Sequence, residues 1–110
     1  LVNNASIFER MPFPEANEAS FDSNMLVNLK APVFLTRAFV QHFPDAELSV
    51  VNILDAKITV RRHGYFFYLM AKKSLADFTE MAAVALAPRV RVNGVCPGFV
   101  LPAGEGDEAY

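Results

Sequence analysis

Apolar residues fall in blocks separated by polar, Pro-containing or Gly-containing stretches, and the spacing inside each block restricts what it can form. Leu1-Val2 runs straight into the turn formers Asn3 and Asn4 and reads as the end of a buried strand. A loop is expected from about Ser6 to Ala19, where Pro12 and Pro14 fall. Apolar residues then recur at helical spacing, at Phe21, Met25, Leu29, Val33, Phe39, Val40 and Phe43, and predict one long helix ending near Phe43-Pro44. Ser20 suits the cap of that helix, and Asp22 its electropositive first turn. The run Leu48-Ser49-Val50-Val51-Asn52-Ile53-Leu54 is short, apolar and β-branched, as expected of a parallel strand covered on both faces, and Asp55 closes it. After a loop holding Arg61, Arg62, His63 and Gly64, a second long helix is predicted from about Phe66 to Leu86, stopping before Pro88. Val90 to Cys96 alternates as a third strand, broken by Pro97-Gly98, and a polar tail follows.

Strand, helix, strand, helix, strand, with long helical crossovers, is the order of parallel βαβ units. The fold class is therefore α/β, with a parallel, doubly wound sheet seen as an incomplete βαβαβ segment of a single domain. Ligands in such sheets bind beyond the carboxyl ends of the strands. Attention falls on the loops after Val2, after Leu54 and after Cys96.

Composition narrows the class of function. With 53% apolar residues in 110, the chain can bury a core. A net charge of −2 with no dense Lys/Arg block gives no electrostatic footprint for nucleic acid or an anionic membrane, which favours a small-molecule role. No apolar run reaches the about 20 residues that a membrane-spanning helix needs. The single Cys96 cannot form an internal disulfide and points to a reducing compartment, so a cytoplasmic location is expected. No Cys/His spacing suggests a metal site. The opening Leu-Val-Asn-Asn-Ala-Ser has neither an initiator Met nor the features of a signal peptide, and the chain reads as cut from something longer.

Tyr68 and Lys72 lie four apart on a predicted helix, one turn from each other on one face. A neighbouring ammonium stabilises a phenolate and so suits a tyrosine for proton transfer. On its own that spacing also fits an ordinary surface pair. Pro32 has no N–H to give to the carbonyl of Asn28, so that acceptor is freed and a kink is expected.

The block Tyr65-Phe66-Phe67-Tyr68-Leu69-Met70-Ala71-Lys72 follows a strand ending Asn52-Ile53-Leu54-Asp55 and precedes Arg91-Val92-Asn93-Gly94-Val95-Cys96-Pro97-Gly98. With the opening Asn3-Asn4-Ala5-Ser6, these motifs resemble the short-chain dehydrogenase/reductase family, with its Rossmann-like fold, over essentially the whole chain. The resemblance implies a nicotinamide-dependent oxidoreductase in which Tyr68 is the general acid and Lys72 holds the nicotinamide ribose and lowers the tyrosine pKa. It implies that the freed Asn28 carbonyl holds a water in a proton relay; a plain proline kink is the other reading. Asn3, Asn4 and Ala5 lie beside the adenosine half of the cofactor on this likeness, and Pro97 and Gly98 bring backbone near the nicotinamide. Val100 stands where the family often has Thr or Ser, so only its backbone could serve.

Asp55 departs from the family's usual serine. A carboxyl group can take or give a whole proton, where a hydroxyl mainly orients the reacting oxygen. Pteridine reductases resemble this chain in having an Asp there, in the Tyr-x-x-Tyr-x-Met-Ala-Lys stretch and in Asn-Asn-Ala-Ser. That branch implies a pterin-like or carbonyl substrate lined by Ser6, Phe8 and Asp55, and NADPH as cofactor, with NADH open. A capping or turn carboxylate is the alternative for Asp55. None of the five glycines, Gly64, Gly94, Gly98, Gly104 and Gly106, forms the Gly-rich turn that cradles a pyrophosphate, so the isolated chain is expected to be inactive. A non-catalytic truncated paralogue or oligomerisation module is therefore the competing class.

Apolar residues beyond one stripe, such as Phe34, Leu35 and Phe39 or Leu75, Phe78 and Met81, suggest a partner face, and the resemblance implies a homodimer or homotetramer through the two long helices. His42, His63, Arg61 and Arg62 read as solvated, and Cys96 as a small buried apolar side chain. By the resemblance, Ala103 to Tyr110 falls where the family keeps a substrate loop.

Overall fold

The computed structural model describes residues 1–61 and 63–100. Strands β1 (Val2–Asn3), β2 (Leu48–Ile53) and β3 (Val90–Val95) form one parallel sheet with β2 in the middle. The register pairs Val2 with Val51 on one side of β2, and Leu48 with Val90 through Ile53 with Val95 on the other. The crossovers are α1 (Glu18–Met25) running into α2 (Ala31–His42), and α3 (Phe66–Leu86). The α/β parallel-sheet arrangement is as the hydrophobic pattern predicts.

The first long helix departs from its expected form at two points. Its cap is Asn17 rather than Ser20: the Asn17 side chain accepts the Ser20 amide at 2.9 Å, and the Ser20 hydroxyl accepts the Asn17 amide at 3.2 Å. Both residues are good caps, and the reciprocal box uses both, which starts the helix earlier at Glu18. The helix also widens at Leu26–Lys30 into a π turn, in which the Ala31 N–H reaches back to Leu26. Pro32 follows at once, in the first turn of α2, where a missing N–H is tolerated. The register slip accommodates the proline without ending the helix.

Val50, Val90, Val92 and Ala82 form the buried centre, with Phe39 and Val40 of α2 and Phe78 and Leu86 of α3 packed around it. On α3 six of the eight buried side chains, Tyr68, Ala71, Lys72, Leu75, Thr79 and Ala82, lie on one face, with Phe67 and Leu69 buried beside it at the start of the helix. That face anchors the helix on the sheet and also carries the Tyr/Lys pair.

A line of buried polar groups crosses the sheet. The Asn52 amide donates to the Thr79 hydroxyl at 3.0 Å, and the Thr79 hydroxyl donates to the Leu75 carbonyl at 2.7 Å. On the other side the Asn3 amide donates to the Asn52 side-chain oxygen at 2.8 Å and to the Thr36 hydroxyl at 3.3 Å, and Thr36 donates to the Pro32 carbonyl at 2.7 Å. Among the described residues every buried side-chain polar atom has a partner. Replacing one member with an apolar isostere therefore strands its neighbours. Asn52→Leu is expected to destabilise the protein by about 1–3 kcal/mol, read as a lower denaturant midpoint with an unchanged slope.

Candidate active site

Asp55 follows the end of β2 in extended backbone, between two hydrogen bonds that continue the ladder: Leu54 N–H to the Val95 carbonyl at 2.7 Å and Ala56 N–H to the Pro97 carbonyl at 3.1 Å. Its buried carboxylate has two tasks. Oδ1 accepts the Lys57 amide at 2.7 Å and caps the short 3₁₀ turn Ala56–Thr59, while Oδ2 accepts the Tyr68 hydroxyl at 2.7 Å. One side chain thus caps the turn and accepts the Tyr68 hydroxyl.

Lys72 is only 3% exposed, and its ammonium donates to the Ile53 carbonyl at 2.8 Å, the last residue of β2. Nζ stands 5.8 Å from the Tyr68 ring centroid. Burial holds the Lys72 pKa below its ordinary value of 10.5, and the Asp55 carboxylate pulls it partly back up. Asp55, Tyr68 and Lys72 thus meet at the carboxyl end of the central strand.

The loop after β1 reaches the same place. Met11 bridges Tyr65, with Met11 N–H on the Gly64 carbonyl at 2.8 Å, which ties the loop to the start of α3. Phe8 stacks on Tyr65 at a centroid distance of 4.3 Å and 9° between planes, and presents an edge to Tyr68 at 4.8 Å and 80°. The fully buried Asn28 holds this loop through its side chain: Oδ1 accepts the Ser6 hydroxyl at 2.8 Å and the Ile7 amide at 3.0 Å, and Nδ2 donates to the Ile7 carbonyl at 3.0 Å and to Asn24 at 3.3 Å. Phe8 is brought beside Tyr68 by its ring contact, while Ser6 is held on the Asn28 side chain.

The remaining candidates sort by position. The Asn3 side chain turns inward into the polar line, whereas Asn4 and Ala5 are exposed at the carboxyl end of β1. Pro97, Gly98 and Val100 follow β3 at the same end; a side chain on Gly98 would meet nothing within 4 Å, and Val100 is exposed. Cys96 is exposed, not buried as its place in an apolar run suggests, because β3 ends at Val95 and stands at the edge of the described sheet. His42, Arg61 and His63 are exposed, while Arg62 and the segment 103–110 lie outside the described residues. Among the described residues no group of His, Cys, Asp or Glu could hold a metal ion, and no helix is long and apolar enough to cross a membrane.

One residue, Tyr65, and one contact, the Asn28 side-chain clamp, have no role assigned from the sequence. Tyr65, buried beneath Phe8, stands inside the recognised Tyr-x-x-Tyr stretch, and that position was its only signal. The Asn28 side-chain clamp had none, because the loop atoms it holds, at Ser6 and Ile7, are more than 20 residues away.

The model of the short chain dehydrogenase family matches residues 1–108. Pteridine reductase 1 of Leishmania tarentolae is 38% identical over 93% of this chain and 43% of its own length; galactitol 2-dehydrogenase of Agrobacterium fabrum is 32% identical over 91% and 40%. A crystal structure of FolM alternative dihydrofolate reductase 1 from Brucella suis in complex with NADP superposes with a TM-score of 0.87 at 38% identity, covering 92% of this chain and 43% of that one. The chain spans less than half the length of these relatives. A Tyr and a Lys one turn apart on the helix that follows the central strand, facing Asp55 at the end of that strand, agree with the match along the chain: it belongs to the short chain dehydrogenase family.

Proposed function

We propose that residues 1–110 form the central to C-terminal part of a single Rossmann-fold reductase domain, and that the whole protein reduces a pterin-like C=N bond or a carbonyl at the expense of NADPH. The observation that carries this reading is the 2.7 Å hydrogen bond from the Tyr68 hydroxyl to the buried Asp55 carboxylate, with the Lys72 ammonium on the same helix face.

The residues present fit the nicotinamide end of such a cofactor. Lys72 gives one of its three N–H groups to Ile53 and is the natural donor to ribose hydroxyls. The open space at Gly98, with Pro97, Val100 and the exposed Asn4-Ala5 backbone, leaves room for a ligand along the strand ends, while Asn3 supports β1 from within. Nothing in the chain offers a Gly-rich pyrophosphate turn, so the isolated chain is expected to be inactive. The bound cofactor supplies the hydride.

Tyr68 delivers the proton. Its hydroxyl is oriented by Asp55, and the nearby Lys72 charge stabilises the phenolate left behind. The phenolate is reprotonated from solvent, and Asp55, an acceptor while ionised, can pass a proton on only after taking one up from water. The Asn28 side chain holds Ser6 and Ile7, the latter next to Phe8, for a role in lining the substrate, and its main-chain carbonyl, four residues before Pro32, is the water acceptor toward Lys72 in this reading. Phe34, Leu35, Met81 and Val84 are exposed on α2 and α3 and suit a face between subunits of a homodimer or homotetramer. A cytoplasmic location belongs to the same reading.

The test is NADPH oxidation by the full-length protein with dihydrobiopterin, dihydrofolate and a simple ketone. Tyr68→Phe is expected to lower kcat by roughly 10²–10⁴-fold, and Asp55→Ser to impair pterin turnover. Ketone turnover indifferent to Asp55→Ser would make the protein an ordinary carbonyl reductase. No oxidation with any substrate would favour the non-catalytic paralogue.

Lys72 sets a second expectation. Its folded pKa is depressed, so the unfolded chain holds this proton more tightly, and the burial penalty is in full force below the folded pKa. As pH rises from the folded pKa toward 10.5 the penalty is relieved and stability rises. Lys72→Met should lack that alkaline gain, measured as the difference between the two proteins' unfolding free energies across pH.

A further inference from the structure

Val90 and Val92 are buried on one face of β3, and by strand alternation the next position on that face is Gly94, which is itself exposed at the end of the strand. The structure gives a reason for the glycine. A Cβ at Gly94 would stand 2.6 Å from Leu54 Cδ1, 3.3 Å from Leu54 Cγ and 3.6 Å from Thr79 Cγ2. Leu54 lies across β3 in the space a side chain would fill. Turning the Cδ1 methyl aside relieves the shortest contact but leaves the one to Cγ, for which Leu54 must give by a few tenths of an ångström, and at 7% exposure it has little free volume to do so.

Leu54 is the residue before Asp55. Its amide is bonded to Val95, and the amide after Asp55 is bonded to Pro97, so the backbone that carries the carboxylate is clamped to the end of β3 on both sides. We infer that Gly94 is a positioning residue: the notch it leaves in β3 seats Leu54, and the seated Leu54 fixes the Asp55 carboxylate at hydrogen-bond distance from the Tyr68 hydroxyl. Thr79, on the other wall of the notch, is bonded to Asn52, so the notch is closed on the side where the sheet meets α3. The inference rests on the reading of Asp55 and Tyr68 as the proton-delivering pair. It adds a size rule, in which residues 54 and 94 share one volume.

The experiment is a double-mutant cycle in the full-length protein with Gly94→Ala, Leu54→Ala and both together. Gly94→Ala is expected to lower kcat roughly tenfold or more with the KM for NADPH nearly unchanged, since a displaced catalytic group costs turnover rather than cofactor binding. Adding Leu54→Ala empties the space the new methyl needs and should restore most of kcat, so that the two changes are strongly non-additive. If Gly94→Ala does not fold, the double variant carries the test and must fold and turn over. Wild-type kcat in Gly94→Ala, a loss confined to KM, or a loss that Leu54→Ala does not relieve would each overturn the inference while leaving the reductase reading intact. If the wild type oxidises no NADPH, the reductase reading fails by itself. An ultraviolet titration of the Tyr68 phenol, taken as the difference from Tyr68→Phe, then decides: a titration that moves in Gly94→Ala and returns in the double variant supports the notch, and one that does not move rejects it.

Discussion

A single buried amide, that of Asn52, holds the sheet and both long helices in one register. A parallel strand covered on both faces is ordinarily apolar throughout, and an unpartnered amide there costs as much as several favourable contacts return. Asn52 avoids that cost only if Asn3 on β1 and Thr79 on α3 stand where they do, and Asn3 in turn engages Thr36 on α2. Apolar packing tolerates sliding, but a chain of hydrogen bonds does not. Thr79 lies on the face of α3 that carries Tyr68 and Lys72, so the same bonds that set the helix on the sheet set where the phenol and the ammonium arrive.

From that frame the chemistry follows with few further parts. The central strand ends under Lys72, whose ammonium takes the last strand carbonyl, and the next two residues bring a carboxylate under the tyrosine. The loop after β1 is brought to the same spot by the Asn28 side chain, at a point where the helix has slipped into a wider turn ahead of Pro32. A proline that looks like a defect in the hydrophobic pattern thus stands beside the residue that anchors the loop.

The elements were legible in the sequence because periodicity reports burial, and burial is what this sheet and these helices are built on. The Tyr68/Lys72 pair was legible because helical spacing converts directly into proximity, and Asp55 because it stands where a strand must end. Helix caps were less so: Asn17 and Ser20 are both good caps, and only the three-dimensional box chooses between them. The exposure of Cys96 was hidden because an apolar run does not reveal where a strand stops or which strand is at an edge. The Asn28 clamp and the Phe8–Tyr65 stack were not legible at all, since each joins segments far apart in the chain through contacts that leave no periodic trace.

The carboxylate at position 55 also bears on the lysine. Burying an ammonium is costly unless an opposite charge is near, and here burial lowers the Lys72 pKa while the Asp55 charge raises it. A serine at position 55 would leave that burial uncompensated by charge. Asp55 therefore acts twice, on the tyrosine by a direct hydrogen bond and on the lysine by its field. A residue with both effects tolerates little displacement, because a shift that lengthens the bond to Tyr68 also changes the electrostatic support of Lys72. That double dependence explains why the backbone on either side of Asp55 is pinned to the end of β3 instead of being left as a free loop.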